Sequence, residues 1–201
     1  MGFKQRSAMT ATGCDGVVFL VGFMGAGKTS VGRALGRRLN WIFEDLDDRI
    51  ERREGRTIAE IFRDSGEAAF REAEHAALRQ VLEEAGGGVA RIIALGGGAF
   101  VQRDNAALLQ AARFPVVFLD APVEELWRRC RVQAEGVGIE RPLLGNEEQF
   151  RQLYRTRRRH YLRATRRIET GGRPVDTIAA EIAETLNLKK IVMRSEQGEP
   201  E

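Results

Sequence analysis

Between Gly22 and Thr29 the chain reads Gly-Phe-Met-Gly-Ala-Gly-Lys-Thr, which satisfies G-x-x-x-x-G-K-[ST] at every fixed position. No other feature narrows the possible folds so far, because such a loop works only where a strand enters it and a helix leaves it. Both flanks are present. Val17–Val21 is an unbroken apolar run bounded by glycines, the pattern of a buried strand. Lys28–Leu39 carries Val31, Ala34, Leu35 and Leu39 at helical spacing. Glycines let successive backbone N–H groups turn toward one focus around a polyphosphate, and the helix N-terminus adds its partial positive charge there. Lys28 can then reach the β- and γ-phosphates, and the Thr29 hydroxyl can ligate Mg²⁺ directly. The loop is therefore expected to hold ATP through Gly25, Ala26, Gly27, Lys28, Thr29 and Ser30. Lysine usage draws the eye to the same spot: Lys28 is the only lysine between Lys4 and Lys189 in a chain that otherwise writes its positive charge as arginine.

The rest of the chain fits an α/β reading. Short strands are expected at Trp41–Phe43, Val89–Leu95, Pro115–Leu119 and Arg167–Thr170. Helices are expected at Thr57–Ala85 (in two pieces, broken near Ser65-Gly66), Arg103–Ala112, Pro122–Gln133, Glu147–Ala164 and Val175–Leu186. Alternation of this kind implies a three-layer fold: a five-stranded parallel sheet with helices on both faces. With 201 residues, 43% apolar and 30% charged, the chain suits one folded domain and neither global disorder nor a disulfide scaffold. That domain is expected over residues 16–188, with a flexible leader at 1–15, a polar tail at 189–201 and a mobile lid at about 134–147. No apolar run approaches the roughly 20 residues that cross a bilayer, and no signal peptide is visible, so a cytoplasmic protein without a membrane partner is expected. Cys14 and Cys130 have no metal or redox spacing and read as incidental thiols.

In an open parallel sheet, residues just past the strand C-termini line the ligand crevice. The second strand runs into Glu44-Asp45-Leu46-Asp47-Asp48. One of Asp45 and Asp47 can approach the metal through its water shell, and the other can accept a hydrogen bond from an acceptor hydroxyl; a solvated acidic turn is the plainer alternative. Gly96-Gly97-Gly98 follows the third strand and would let backbone N–H groups come close to a small substrate. Arginine is the natural clamp for an acceptor carboxylate, since its planar fork pairs with two oxygens. Arg71 and Arg157 are candidates, although Arg71 taken alone reads as a surface ion pair.

Together, GFMGAGKTSVGRALGRRL, FEDLDDRIERREGRTIAEIF, SGEAAFREAEHAAL, LGGGAF and RPLL resemble the shikimate kinase family over roughly Gly16 to Leu186. The resemblance implies a P-loop kinase that moves the γ-phosphoryl of ATP to the 3-hydroxyl of shikimate, on the route to chorismate and the aromatic amino acids. It implies that Asp47 holds the shikimate hydroxyls and favours loss of the reacting proton, that Arg71 and Arg157 clamp the carboxylate, and that Gly97 offers its backbone. It also implies Mg²⁺ on Thr29 with Asp45 in the outer shell, Arg141 folding over the phosphates from the lid, and Arg173 flanking the adenine. Lys28, Asp47 and Arg141 are thus the expected catalytic set. Where the family shows R-x-P-L-Y, this chain has Arg157-Arg158-Arg159-His160-Tyr161, so alignment to Tyr161 selects Arg157 over Arg158 or Arg155.

Two other functions remain open at this level. A kinase of another polyol acid, such as gluconate, would suit the same arginines and aspartate. A regulatory or nucleic-acid-binding NTPase would use the arginine-rich stretch from Arg151 to Arg167 to track phosphates. Few aromatics interleave that stretch, so no nucleic-acid partner is expected, and the protein is expected to act as a monomer. His75 and His160 lack a ligand set and read as surface or packing residues.

Overall fold

The structure, a computed structural model, describes residues 16–137 and 146–191. Five strands, β1 (Val17–Val21), β2 (Ile42–Asp45), β3 (Arg91–Ala94), β4 (Val116–Asp120) and β5 (Arg166–Glu169), form one sheet in the order β2-β3-β1-β4-β5. Every pairing is parallel. All residues of β1 and β4 are buried, and since successive side chains point to opposite faces, both faces of the sheet are covered.

Among the described residues, seven α-helices do the covering: α1 (Lys28–Leu39), α2 (Leu46–Glu54), α3 (Ile58–Glu84), α4 (Arg103–Ala112), α5 (Val123–Val137), α6 (Glu147–Tyr161) and α7 (Val175–Thr185). Local chemistry sets several of their ends. Thr57 and Glu60 form a reciprocal capping box at the start of α3, and Asn146 caps α6 by accepting from the Glu148 N–H. Gly66, at φ 80° and ψ 176°, interrupts α3 where two helical pieces are expected.

Some boundaries differ from the sequence reading. Val89 and Leu95 lie outside β3, and β2 runs on through Asp45. The acidic segment after β2 is a helix rather than a turn: Asp45 accepts from the Asp47 N–H and so caps α2. Ala134–Val137, expected to belong to the lid, continue α5. Residues 138–145 of the expected lid, Arg141 among them, the leader and residues 192–201 lie outside the described residues, while Asn146 and Glu147, also expected in the lid, begin α6. Among the described residues no helix is long and apolar enough to cross a membrane.

The register aligns the strand ends. Leu20 of β1 and Asp45 of β2 both stand opposite Ala94 of β3, and Val21 stands opposite Phe118 of β4. The loops that follow these strands therefore emerge side by side at one edge of the sheet.

Candidate active site

The glycine loop between β1 and α1 adopts backbone angles that side-chain-bearing residues rarely take, with φ of 78° at Gly25 and 92° at Gly27. A Cβ at Gly25 would also stand 2.9 Å from both Cys130 Sγ and the Leu126 carbonyl, so α5 packs directly beneath the loop. Gly27 caps α1 without a side-chain bond, and the first turn carries no acid. The leading N–H groups of α1 are thus directed at a ligand rather than at the chain's own carboxylates. The Lys28 ammonium donates to the Gly22 carbonyl at 2.9 Å and the Phe23 carbonyl at 3.2 Å. Burial pulls the Lys28 pKa down, while the charges of Asp47 and Asp45 oppose that shift.

Thr29 and Asp45 meet: the threonine hydroxyl donates to Asp45 Oδ2 at 3.1 Å. Among the described residues no cluster of three or more His, Cys, Asp or Glu could hold a metal by itself. A hydroxyl beside one carboxylate, at the foot of a phosphate loop, fits the way Mg²⁺ is held in such enzymes, by few protein oxygens completed by phosphate and water.

Opposite the phosphate loop, the three glycines of residues 96–98 lie under five different side chains. A Cβ on Gly96 would come within 2.7 Å of Asp47 Oδ1 and 3.3 Å of Glu74 Oε1. One on Gly97 would lie 3.6 Å from Arg157 Nη1 and 3.8 Å from the Tyr161 hydroxyl. One on Gly98 would lie 2.7 Å from Arg71 Nη1. The structure thereby gathers Asp47, Arg71, Gly97 and Arg157, drawn from four separate elements, around one loop.

Electrostatics there are unusual. Asp47 Oδ1 and Glu74 Oε1 are buried with no hydrogen-bond partner. Burial raises the Asp47 pKa to about 6, helped by the neighbouring Asp45 charge and opposed by Lys28. Burial likewise raises Glu74, against the pull of Arg71. Arg71 donates to Glu74 at 2.9 Å and also pairs with Glu67 at 3.0 Å, so the ion pair expected of it exists, but it is anchored inside the cleft. Arg157 makes no ion pair among the described residues and stands 5.9 Å from the Phe23 ring centre. Arg158, its rival in the sequence, is bound to the buried Asp120 at 2.7 Å, and Arg155 is exposed.

Arg173 lies apart from this group. It donates to the Glu169 carbonyl and pairs with Glu181. The β5–α7 turn is tied to the phosphate loop by another arginine, Arg129, which donates to the Gly25 carbonyl at 3.2 Å and to the Thr170 carbonyl at 3.0 Å. His75 pairs with Asn105 at 2.8 Å, a bond between α3 and α4.

Sequence reasoning missed Glu74, Arg129 and the structural part of Tyr161. The i,i+3 spacing of Arg71 and Glu74 was a readable signal for the first. Phe150, Tyr154 and Tyr161 share the buried face of α6, which marks Tyr161 as inward, and its hydroxyl donates to the Gly97 carbonyl. Nothing local points Arg129 at Gly25, since 104 residues separate them.

Comparison with known proteins points to one family. A family model described as "Shikimate kinase" matches residues 24–187. A shikimate kinase of Streptomyces avermitilis is 40% identical over 176 residues, covering 86% of this chain and 96% of the relative. One from Persephonella marina is 35% identical over 166 residues, covering 82% and 95%. The solved structure of shikimate kinase from Acinetobacter baumannii in complex with shikimate superimposes with a TM-score of 0.75 at 36% identity, covering 85% of this chain and 92% of that one.

Proposed function

The chain belongs to the shikimate kinase family, and on that premise we propose how its residues share the transfer of the ATP γ-phosphoryl to the 3-hydroxyl of shikimate. The observation that carries the proposal is the glycine triplet, which puts a buried carboxylate and two guanidinium groups around one small space facing the phosphate loop.

Phosphoryl transfer depends on alignment and charge neutralisation more than on covalent help. Arg71 and Arg157 grip the shikimate carboxylate from two sides, with Gly97 lending its backbone. Glu74 holds Arg71 in place, having one oxygen on that guanidinium at 2.9 Å. Asp47 accepts a hydrogen bond from the 3-hydroxyl and takes its proton as that oxygen bonds to the γ-phosphorus and the bond to the ADP oxygen breaks. A carboxyl with a pKa of about 6 is ionised at neutral pH yet basic enough to receive that proton.

Charge building on the γ-phosphoryl oxygens is met by the loop N–H groups of Gly25 to Ser30, by Lys28 and by Arg141, which is outside the described residues. Mg²⁺ held by Thr29, with Asp45 reached through water, would supply further charge neutralisation when ATP is bound. To meet the β- and γ-phosphates, the Lys28 ammonium exchanges its carbonyl partners for phosphate oxygens. Arg173 is assigned to the adenine by family resemblance alone; reaching the base would require it to leave Glu181. The enzyme is taken to work as a monomer in the cytoplasm, and light scattering on the purified chain tests the first of these.

Steady-state kinetics with ATP and shikimate test the assignment. Asp47→Asn should lose about 10²–10⁴-fold in kcat, the usual contribution of a positioned base, while ATP binding persists. Arg71→Ala should act mainly on KM for shikimate, and Arg141→Ala mainly on kcat. Substantial turnover by Asp47→Asn would remove that carboxylate from the mechanism.

A further inference from the structure

We propose that a cavity between the end of α4 and the α6–β5 connection is a second binding site, separate from the reaction cleft, for a small carboxylate carried on an apolar ring. The cavity has a volume of about 320 Å³ and is lined by Phe100, Leu109, Phe114 and Val116, with Arg113 and Arg163 among its polar residues. That size and an apolar lining with few polar groups are typical of small-ligand pockets.

The polar groups indicate the charge of the ligand. No aspartate or glutamate lines the cavity. The Thr165 hydroxyl is already committed, donating to the Val116 carbonyl at 2.8 Å and accepting from the Val116 N–H at 2.9 Å. Arg113 and Arg163 make no ion pair or side-chain hydrogen bond among the described residues. This sets them apart from Arg49, Arg71, Arg91, Arg129, Arg151 and Arg158, all of which hold carboxylates or carbonyls. Two arginines from different segments therefore line one hollow that no acid lines.

The backbone adds to this. Arg113 ends α4 in the left-handed conformation, with φ of 59°. Glycine is the usual occupant of such a position, so the arginine sits there against its conformational preference. The aromatic lining gives the ring of a ligand a stacking partner: the Phe114 ring centre lies 6.2 Å from that of Phe19, and Phe100 is buried. A guanidinium pair at the rim would take the carboxylate bidentately.

Isothermal titration on the full chain tests the site, using cinnamate as the probe and its neutral amide as control. Saturating shikimate and ADP are present throughout, so the carboxylate-binding arginines of the reaction cleft are occupied. Cinnamate is expected to bind at one site, with the amide about tenfold weaker or worse because it forfeits the charged contacts. Arg113→Gly with Arg163→Ala is expected to weaken cinnamate by a similar factor. Both positions are exposed, and glycine relieves the left-handed backbone, so the variant should melt no lower than wild type. Absence of cinnamate binding, equal affinity for the amide, or equal affinity in the double variant would each overturn the proposal.

Discussion

A single methyl group at Gly96 tests how tightly the site is built. Alanine there needs no unusual backbone angle, since Gly96 is not among the glycines of positive φ. The conflict is steric: the new Cβ would stand 2.7 Å from Asp47 Oδ1, when ordinary contact begins at 3.4 Å. The carboxylate must retreat by about 0.7 Å, and a displacement of about 1 Å in a reacting group can cost about 100-fold. Glu74 Oε1, 3.3 Å from the same Cβ and buried, blocks a compensating shift on that side. Gly96→Ala should therefore lower kcat by about 10- to 100-fold, with overpacking costing about 1–3 kcal/mol of stability. A coupled ADP assay at saturating ATP reads the first and a thermal melt the second. Gly97→Ala is the control for stability: its Cβ meets Arg157 and Tyr161 only at 3.6 and 3.8 Å, so the melting temperature should hold. An unchanged kcat in Gly96→Ala, or equal destabilisation of the two variants, would refute the reasoning.

Other outcomes follow from the same geometry. Since Asp47 must be ionised to accept the proton and its pKa is about 6, kcat/KM for shikimate should rise with pH through about 6 and then level, whereas a flat profile from pH 5 to 8 would contradict its role as base. The same shift makes a statement about stability. The folded pKa of about 6 exceeds the ordinary aspartate value of 3.8, so the folded state binds more protons between the two and loses stability as pH rises across that window. Asp47→Asn, neutral at all pH, should raise the melting temperature at pH 8 and leave it unchanged at pH 4. Gly98→Ala presses on the far end of Arg71 and should raise KM for shikimate with kcat little changed, read in the same coupled assay. Asp120 holds Arg158, Arg167 and Tyr154 from a buried position, and Asp120→Ala should cost about 2–3 kcal/mol in urea melts, less than a fully buried pair because both arginines are partly exposed.

Legibility in the sequence followed interaction range. The strand–loop–helix unit around Lys28 was readable because the glycine spacing and its flanks lie within one stretch of chain. Asp45 and Asp47 were readable as candidates, but α2 was not: its buried residues are only Leu46 and Ile50, too few to announce a helical period. The choice of Arg157 rested on alignment to Tyr161; a neighbour 38 residues away, Asp120, occupies Arg158, and no local pattern carries that. Part of the charge of the arginine-rich segment is absorbed within the fold: Arg151 pairs with Glu124 and Glu147, Arg158 with Asp120, and Arg167 with Asp120 and Glu169. Glu74 was overlooked because a buried carboxylate on a polar helix resembles a solvated one until tertiary packing covers it.

The central claim concerns where the acceptor sits, and a crystal structure of this chain with shikimate and ADP measures that directly. The shikimate carboxylate is expected within hydrogen-bond distance of both Arg71 and Arg157, with the 3-hydroxyl on the Asp47 carboxylate and facing the phosphate loop. Shikimate held with its carboxylate away from those arginines, or with the 3-hydroxyl turned from Asp47, would contradict it.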